Sequence, residues 1–146
     1  MAFYWIVFTI LTITVGLLSE YLEQSVQLSD FATLDSLSRN MLVYRSAASE
    51  YAKGNTAFSG VPPDAALNLP AWFSKPTEVV TLITAGQSYT YFYGEAPAGL
   101  PAALAERTQS ILIGVNRSGV LVSPSSGQTG VPLPSAIPEG AVVAVN

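Results

Sequence analysis

Residues 1–18, MAFYWIVFTILTITVGLL, carry no charged side chain, and the first charge along the chain is Glu20. At about 1.5 Å per residue a helix of that length spans roughly 27 Å, close to the ~30 Å hydrocarbon thickness of a bilayer. Phe3, Tyr4 and Trp5 stand at its start, where aromatic rings suit the headgroup level. Ile6, Phe8 and Leu11 continue the apolar surface. Thr9, Thr12 and Thr14 are tolerable there, because a hydroxyl can bond back to a carbonyl one turn earlier. The pattern predicts a transmembrane anchor. A cleaved signal peptide matches less well, since no Lys or Arg precedes Arg39 and no A-x-A site follows the run. A buried core helix would be unusually apolar on every side.

From Ser19 to Lys53 there is neither Gly nor Pro. Phe31, Leu34, Leu37, Met41, Tyr44, Ala48 and Tyr51 recur at intervals of three and four, the spacing that lines one face of a helix. This face is expected to pack on the C-terminal body. Ser29 or Asp30 could cap a restart, which would make residues 19–28 a separate piece. Tyr21, Leu22 and Val26 precede the long stripe and fit a helix–helix contact with a partner near the membrane. Gly54 suits the residue that stops the helix, with Lys53 near the negative end of its dipole.

The remaining residues alternate between turn signals and short apolar runs. Residues 78–84 and 88–93 flank Ala85-Gly86-Gln87 and predict a β-hairpin. Tyr89, Tyr91 and Tyr93 fall on one face of its second strand, Thr90 and Phe92 on the other. Residues 100–108 predict a short helix with Pro101 in its first turn. Residues 110–115 and 119–123 predict a second hairpin around Asn116-Arg117-Ser118, and residues 141–145 a terminal strand. The Ser/Gly/Pro-rich stretch 124–138 reads as a connection. The expected class is α+β: a transmembrane helix, a long amphipathic helix, then a small antiparallel-sheet domain with a short helix. The expected divisions are an anchor at 1–18, a helical neck at 19–53 packing on the body, and a body at 54–146.

Charge sharpens this picture. Ten Asp+Glu against six Lys+Arg give a formal charge of −4, and charged residues make up 11% of the chain, against about 25% in an ordinary soluble domain. The acidic balance without a basic cluster argues against nucleic acid as a partner. Glu20, Glu23, Asp30 and Asp35 follow the anchor with no basic residue among them. Nothing there holds that side in the cytoplasm, so the expectation is a cytoplasmic N-terminus and a periplasmic body.

Candidate chemistry is sparse. The chain has no His and no Cys. Zinc-finger ligation, thiol catalysis, disulfides and Ser-His-Asp triads are therefore absent from it. Ser74-Lys75 is a formal nucleophile–base pair, but adjacency in a Pro-flanked loop is no evidence of geometry. The acids are dispersed singly, which suits a solvated surface better than acid–base work. Asp64 with Glu78 or Glu95 lacks the D-x-D pattern of a calcium loop. No phosphate-binding glycine loop exists. Asn116-Arg117-Ser118 matches the N-glycosylation triplet, and a hairpin tip explains it as well. No cofactor is expected, and no enzymatic role. The tyrosine row is the most suggestive local feature. Exposed, it would contact another protein or a glycan. Buried under a helix, which aromatics at alternate strand positions favour, it would be core.

The N-terminal anchor is followed by NMLVYRSAASEYA (residues 40–52), FSGVPPDAALNLPAWF (58–73), GVLVSPSSG (119–127) and IPEGAVVAVN (137–146). This combination resembles the PilM family of thin, type IV conjugative pilus systems. It is not similar to the larger actin-like protein of that name. The resemblance covers nearly the whole chain and rests on overall pattern. It implies a small inner-membrane protein of pilus biogenesis, in the basal body or pilin transport apparatus, with no catalytic residues. Its implied partners are other pilus assembly proteins, with self-association open.

Two further readings stand beside it. One is a membrane-anchored periplasmic ligand-binding module using the aromatic row. The other is a minor pilin-like subunit, although the basic leader, the Gly before the cleavage site and the Glu five residues into the run are not recognisable here. An exposed sheet edge could also accept a partner's strand, and residues 141–145 are the candidate.

Overall fold

The computed structural model describes residues 2–146, with side-chain surroundings from Tyr4 onward. The fold is α+β. Helix α1 runs from Ala2 to Gly54 without a break, so no restart occurs at Ser29 or Asp30. Neither residue is needed as a cap, because in an unbroken helix the N–H groups that follow them already bond to carbonyls one turn earlier. Two compact units divide the chain, Met1–Thr33 and Leu34–Asn146.

Within the second unit six strands form one sheet. They are β1 (Val79–Thr84), β2 (Gln87–Phe92), β3 (Ile113–Arg117), β4 (Val120–Ser123), β5 (Gly127–Pro132) and β6 (Val142–Val145), with α2 (Leu100–Thr108) between β2 and β3. The spatial order is β1-β2-β6-β3-β4-β5 and every pairing is antiparallel. Two tight hairpins set the register. Ala85-Gly86 and Ser118-Gly119 both hold positive φ at the two central positions, the twist that suits a two-residue hairpin loop.

The last strand lies in the middle of the sheet. β6 pairs with β2 through Tyr89↔Val145 and Tyr91↔Val143, and with β3 through Ile113↔Ala144 and Val115↔Val142. All four of its residues are buried. Its expected availability as an edge is therefore wrong. An uninterrupted VVAV run fits a strand covered on both faces. β5 was not expected at all. Its Gly127 and Gly130 adopt positive φ and its pairing with β4 contains an irregularity between Val120 and Val122.

The sheet buries both faces. On one, Met41, Tyr44 and Ala47 of α1 and Leu100 and Leu104 of α2 pack with Val79, Phe92, Ile113, Val142 and Ala144. On the other, Tyr89, Tyr91, Val143 and Val145 pack with Leu121, Leu133 and Ile137. Thr81 and Thr90 face the helices and satisfy each other across β1 and β2 at 2.8 Å, fully buried. The apolar stripe of α1 is buried or half-buried from Leu34 to Tyr51, whereas Phe31 is exposed.

Candidate functional site

The first unit presents an apolar helix surface. Trp5, Ile6, Phe8 and Leu11 are exposed, and the Phe3 side chain lies outside the described residues. The threonine hydroxyls bond back as expected: Thr9 to Trp5 O at 2.6 Å, Thr12 to Phe8 O at 2.5 Å and Thr14 to Ile10 O at 2.8 Å. The run hides its polar groups and shows apolar atoms outward. The helix is long and apolar enough to cross a membrane, and none of its most apolar window is buried in protein. Tyr21, Leu22 and Val26 continue beyond this run and are exposed as well.

The tyrosine row is divided. Tyr89 and Tyr91 are buried, at 8% and 9% exposure, while Tyr93, one residue past β2, is 48% exposed. The buried pair lies on the face away from α1 and α2, not under a helix as expected. Burial raises the pKa of both phenols, with the neighbouring Tyr93 adding to the effect at Tyr91. Three tyrosines therefore do not form one open aromatic surface.

The sheet edges differ in accessibility. At β1, Gly60 and Ile83 exchange both backbone hydrogen bonds, at 2.9 and 2.8 Å, and Thr81 is fully buried. The segment before the sheet thus pairs with this edge at Ile83. β5 is the other edge, and its left-handed glycines and Pro132 make it an irregular template for a further strand.

Several charged groups within the body are paired with one another. Tyr44 is buried on α1 and donates to Asp64 Oδ1 at 2.6 Å. Lys75 Nζ donates to both Asp64 oxygens at 3.1 Å and lies 5.0 Å from the Tyr44 ring centre. Phe73 stacks on Tyr44 with ring centres 6.2 Å apart, and Trp72 meets Phe73 edge-on. The loop 55–78 is thereby strapped to α1. Burial, then the bond to Asp64 and its charge, push the Tyr44 phenol well above its usual range. Burial opposes ionisation of Asp64, but the bonds from Tyr44 and Lys75 and the charge of Lys75 outweigh it and lower its pKa. Lys75 is committed to this cluster rather than to Ser74.

Asp35 bridges Arg39, at 3.0 Å, and Arg107 of α2. Arg45 is half-buried and its Nη2 donates to Val145 O at 2.6 Å; burial lowers its pKa. Asn116 is 3% exposed and belongs to β3 rather than to the hairpin tip. Its amide donates to Ile137 O and Pro138 O, at 2.9 and 3.0 Å, and its oxygen accepts from Gly119 N at 3.0 Å. This residue is a structural clamp, committed on every side. Among the described residues no group of three His, Cys, Asp or Glu is placed to hold a metal ion.

The sequence profile of the family described as PilM matches residues 9–145. The chain belongs to the PilM family. It is 48% identical to a protein of Pseudomonas aeruginosa 2192 whose crystal structure carries the pilM name, over 77% of this chain and 94% of that one, with a TM-score of 0.51. A second crystal structure, carrying the PilM name and from Escherichia coli B7A, is 23% identical over 80% of this chain and 93% of that one, with a TM-score of 0.60, and shows the shared fold. No curated protein matches the chain. Membership makes this a pilus-related protein and agrees with the resemblance read from residues 40–52, 58–73, 119–127 and 137–146.

Sequence reasoning missed Arg45, Asp35 and the Tyr44–Asp64–Lys75 cluster. Arg45 and Val145 are 100 residues apart and Asp35 and Arg107 are 72, whereas Asp35 and Arg39 stand only one helical turn apart. It also missed a groove of about 320 Å³ beside α2, bounded by Ala102, Ala105, Gln109, Ile111 and Pro124, with Glu106 its one charged side chain.

Proposed function

We propose that the protein is a non-catalytic inner-membrane component of type IV pilus biogenesis, acting in the basal body or pilin transport apparatus of a conjugative thin pilus. The observation that carries this reading is the family match over residues 9–145. The exposed apolar run of α1 supports a single-pass anchor. The acidic flank Glu20, Glu23, Asp30 and Asp35, with Arg39 the first basic residue, supports a periplasmic body.

Several charged side chains of the body serve as ties: Asp64 with Tyr44 and Lys75, Asp35 with Arg39 and Arg107. That use suits a scaffold more than a reaction centre. A ligand-binding role for the tyrosine row loses its support with the burial of Tyr89 and Tyr91. In the assembly reading, the anchor confines the body near other pilus proteins and raises its effective concentration there. Cross-linking in native membranes of pilus-making cells, followed by pull-down, tests this. Capture of pilus ATPase, platform or secretin components is the expected result. Their absence from a clean capture of the membrane-bound protein would remove the assembly role.

A further inference from the structure

We infer that α1 pairs side by side with further copies of this chain, through a seam that runs from Leu17 to Phe31. The inference rests on the membrane-anchored reading above. Tyr21, Leu28 and Phe31 are 71%, 70% and 69% exposed, although they lie beyond the run of residues 1–18 that suffices to cross a bilayer. Leu17, Tyr21, Gln24, Leu28 and Phe31 are spaced four, three, four and three apart. This is the core spacing of a coiled coil, and it places all five on one line along a helix. Ile10 and Thr14 extend the same line into the anchor. Burying such a row recovers about 25 cal/mol for each Å² of apolar surface withdrawn from water.

The occupant is a second copy for three reasons. An anchor gives every copy the same direction and depth, so identical residues meet at identical heights. The seam's one polar member, Gln24, carries both a donor and an acceptor and bonds to its own counterpart. Finally, the acids avoid the seam. Glu23 and Asp30 fall on the outer side of the helix. Glu20 flanks the seam, and in a parallel, in-register pair it faces Ser25 of the other copy, just as Gln27 faces Ala32. No like charges are forced together, and no basic partner is required. Val26 lies on the outer side, away from this contact, whereas Tyr21 is central to it.

The chain has no native cysteine, so single substitutions report the seam cleanly. Full-length Tyr21→Cys, Gln24→Cys, Leu28→Cys and Phe31→Cys variants would be oxidised in native membranes beside Glu23→Cys and Asp30→Cys. Disulfide-linked dimers are expected at the four seam positions and not at the two outer ones. Linkage at both Tyr21 and Phe31 also requires a parallel pair, since an antiparallel one joins only near its centre. A charge at the centre, Gln24→Glu introduced into the Leu28→Cys variant, should abolish that link, whereas Gln24→Leu should keep it. Equal yields at all positions, or links to another protein alone, overturn the inference. So does the absence of links while the chain stays in carbonate-washed membranes, which leaves the anchor standing. Release of the chain by the carbonate wash defeats the anchor, and the seam inference falls with it.

Discussion

The buried Tyr44 hydroxyl donates to Asp64 at 2.6 Å and so ties the long helix to the loop that precedes the sheet. Tyr44→Phe removes this bond and keeps the stack on Phe73. A hydrogen bond to a charged group contributes ~1.5–3 kcal/mol, and the half-exposed Asp64 side chain reduces that to about 1 kcal/mol. Urea unfolding of the detergent-solubilised chain should show a loss of that size.

The same cluster makes stability depend on pH. The folded-state pKa of Asp64 is lowered, so its contribution is present above the ordinary carboxylate value of 3.8 and is lost as pH falls through the lower folded value. Unfolding measured from pH 6 to pH ~2.5 should show a smaller acid loss for Asp64→Asn than for the unaltered chain. Identical losses would show that the cluster does not carry this linkage.

Gly114 lies where β3 meets β4, and a Cβ there would stand 2.1 Å from the Val122 carbonyl oxygen. The obstacle is backbone, so Gly114→Ala forces the strands apart and should cost ~3 kcal/mol or more. Gly119 has open space but a φ of +77°. Gly119→Ala should therefore cost only ~1–2 kcal/mol. Thermal unfolding of both variants tests the order.

Tyrosine substitutions separate core from surface. Tyr91→Ser empties a buried site beside Val143 and Leu133 and should cost ~3–5 kcal/mol, as large aromatic truncations do. Tyr93→Ser removes a half-exposed ring whose hydroxyl bonds to Thr77 O at 3.1 Å, and should cost about 1 kcal/mol or less. Equal destabilisation would contradict the division of the row.

Much of the fold was legible because its signals are local. The two hairpins, the helix formers of α2 and the 3–4 spacing from Leu34 to Tyr51 each act within a few residues, although the second turn falls at Ser118-Gly119 and not around Asn116-Arg117-Ser118. The alternation of Tyr89 and Tyr91 against Thr90 and Phe92 was also readable from strand geometry. Which face the helices cover was not, because that depends on packing between distant segments. β5 was hidden by its composition, since Gly127, Gly130 and Pro132 are turn residues by propensity and pair only through the bend they create. The central place of β6 follows from pairing to both β2 and β3, a relation no local pattern records. Asn116 looked like a hairpin tip and is instead a buried clamp on the Ile137–Pro138 backbone. For the site, the exposed apolar surface of α1 was legible, whereas the ties at Arg45, Asp35 and Asp64 were not.

The topology makes its own prediction. Ser135 is exposed in the body. In the otherwise cysteine-free chain, Ser135→Cys should react with a membrane-impermeant thiol reagent applied from the periplasm. Labelling only after the inner membrane is opened would reverse the orientation.

The most direct test of the pilus role is genetic. Cells that make the pilus would be deprived of this chain and then given back either the full chain or one lacking residues 2–18, with surface pili counted by electron microscopy. Loss of pili, restored by the full chain and not by the truncated one, is the predicted result. Normal pili without the chain would contradict the assembly role, and full rescue by the truncated chain would contradict the need for its anchor.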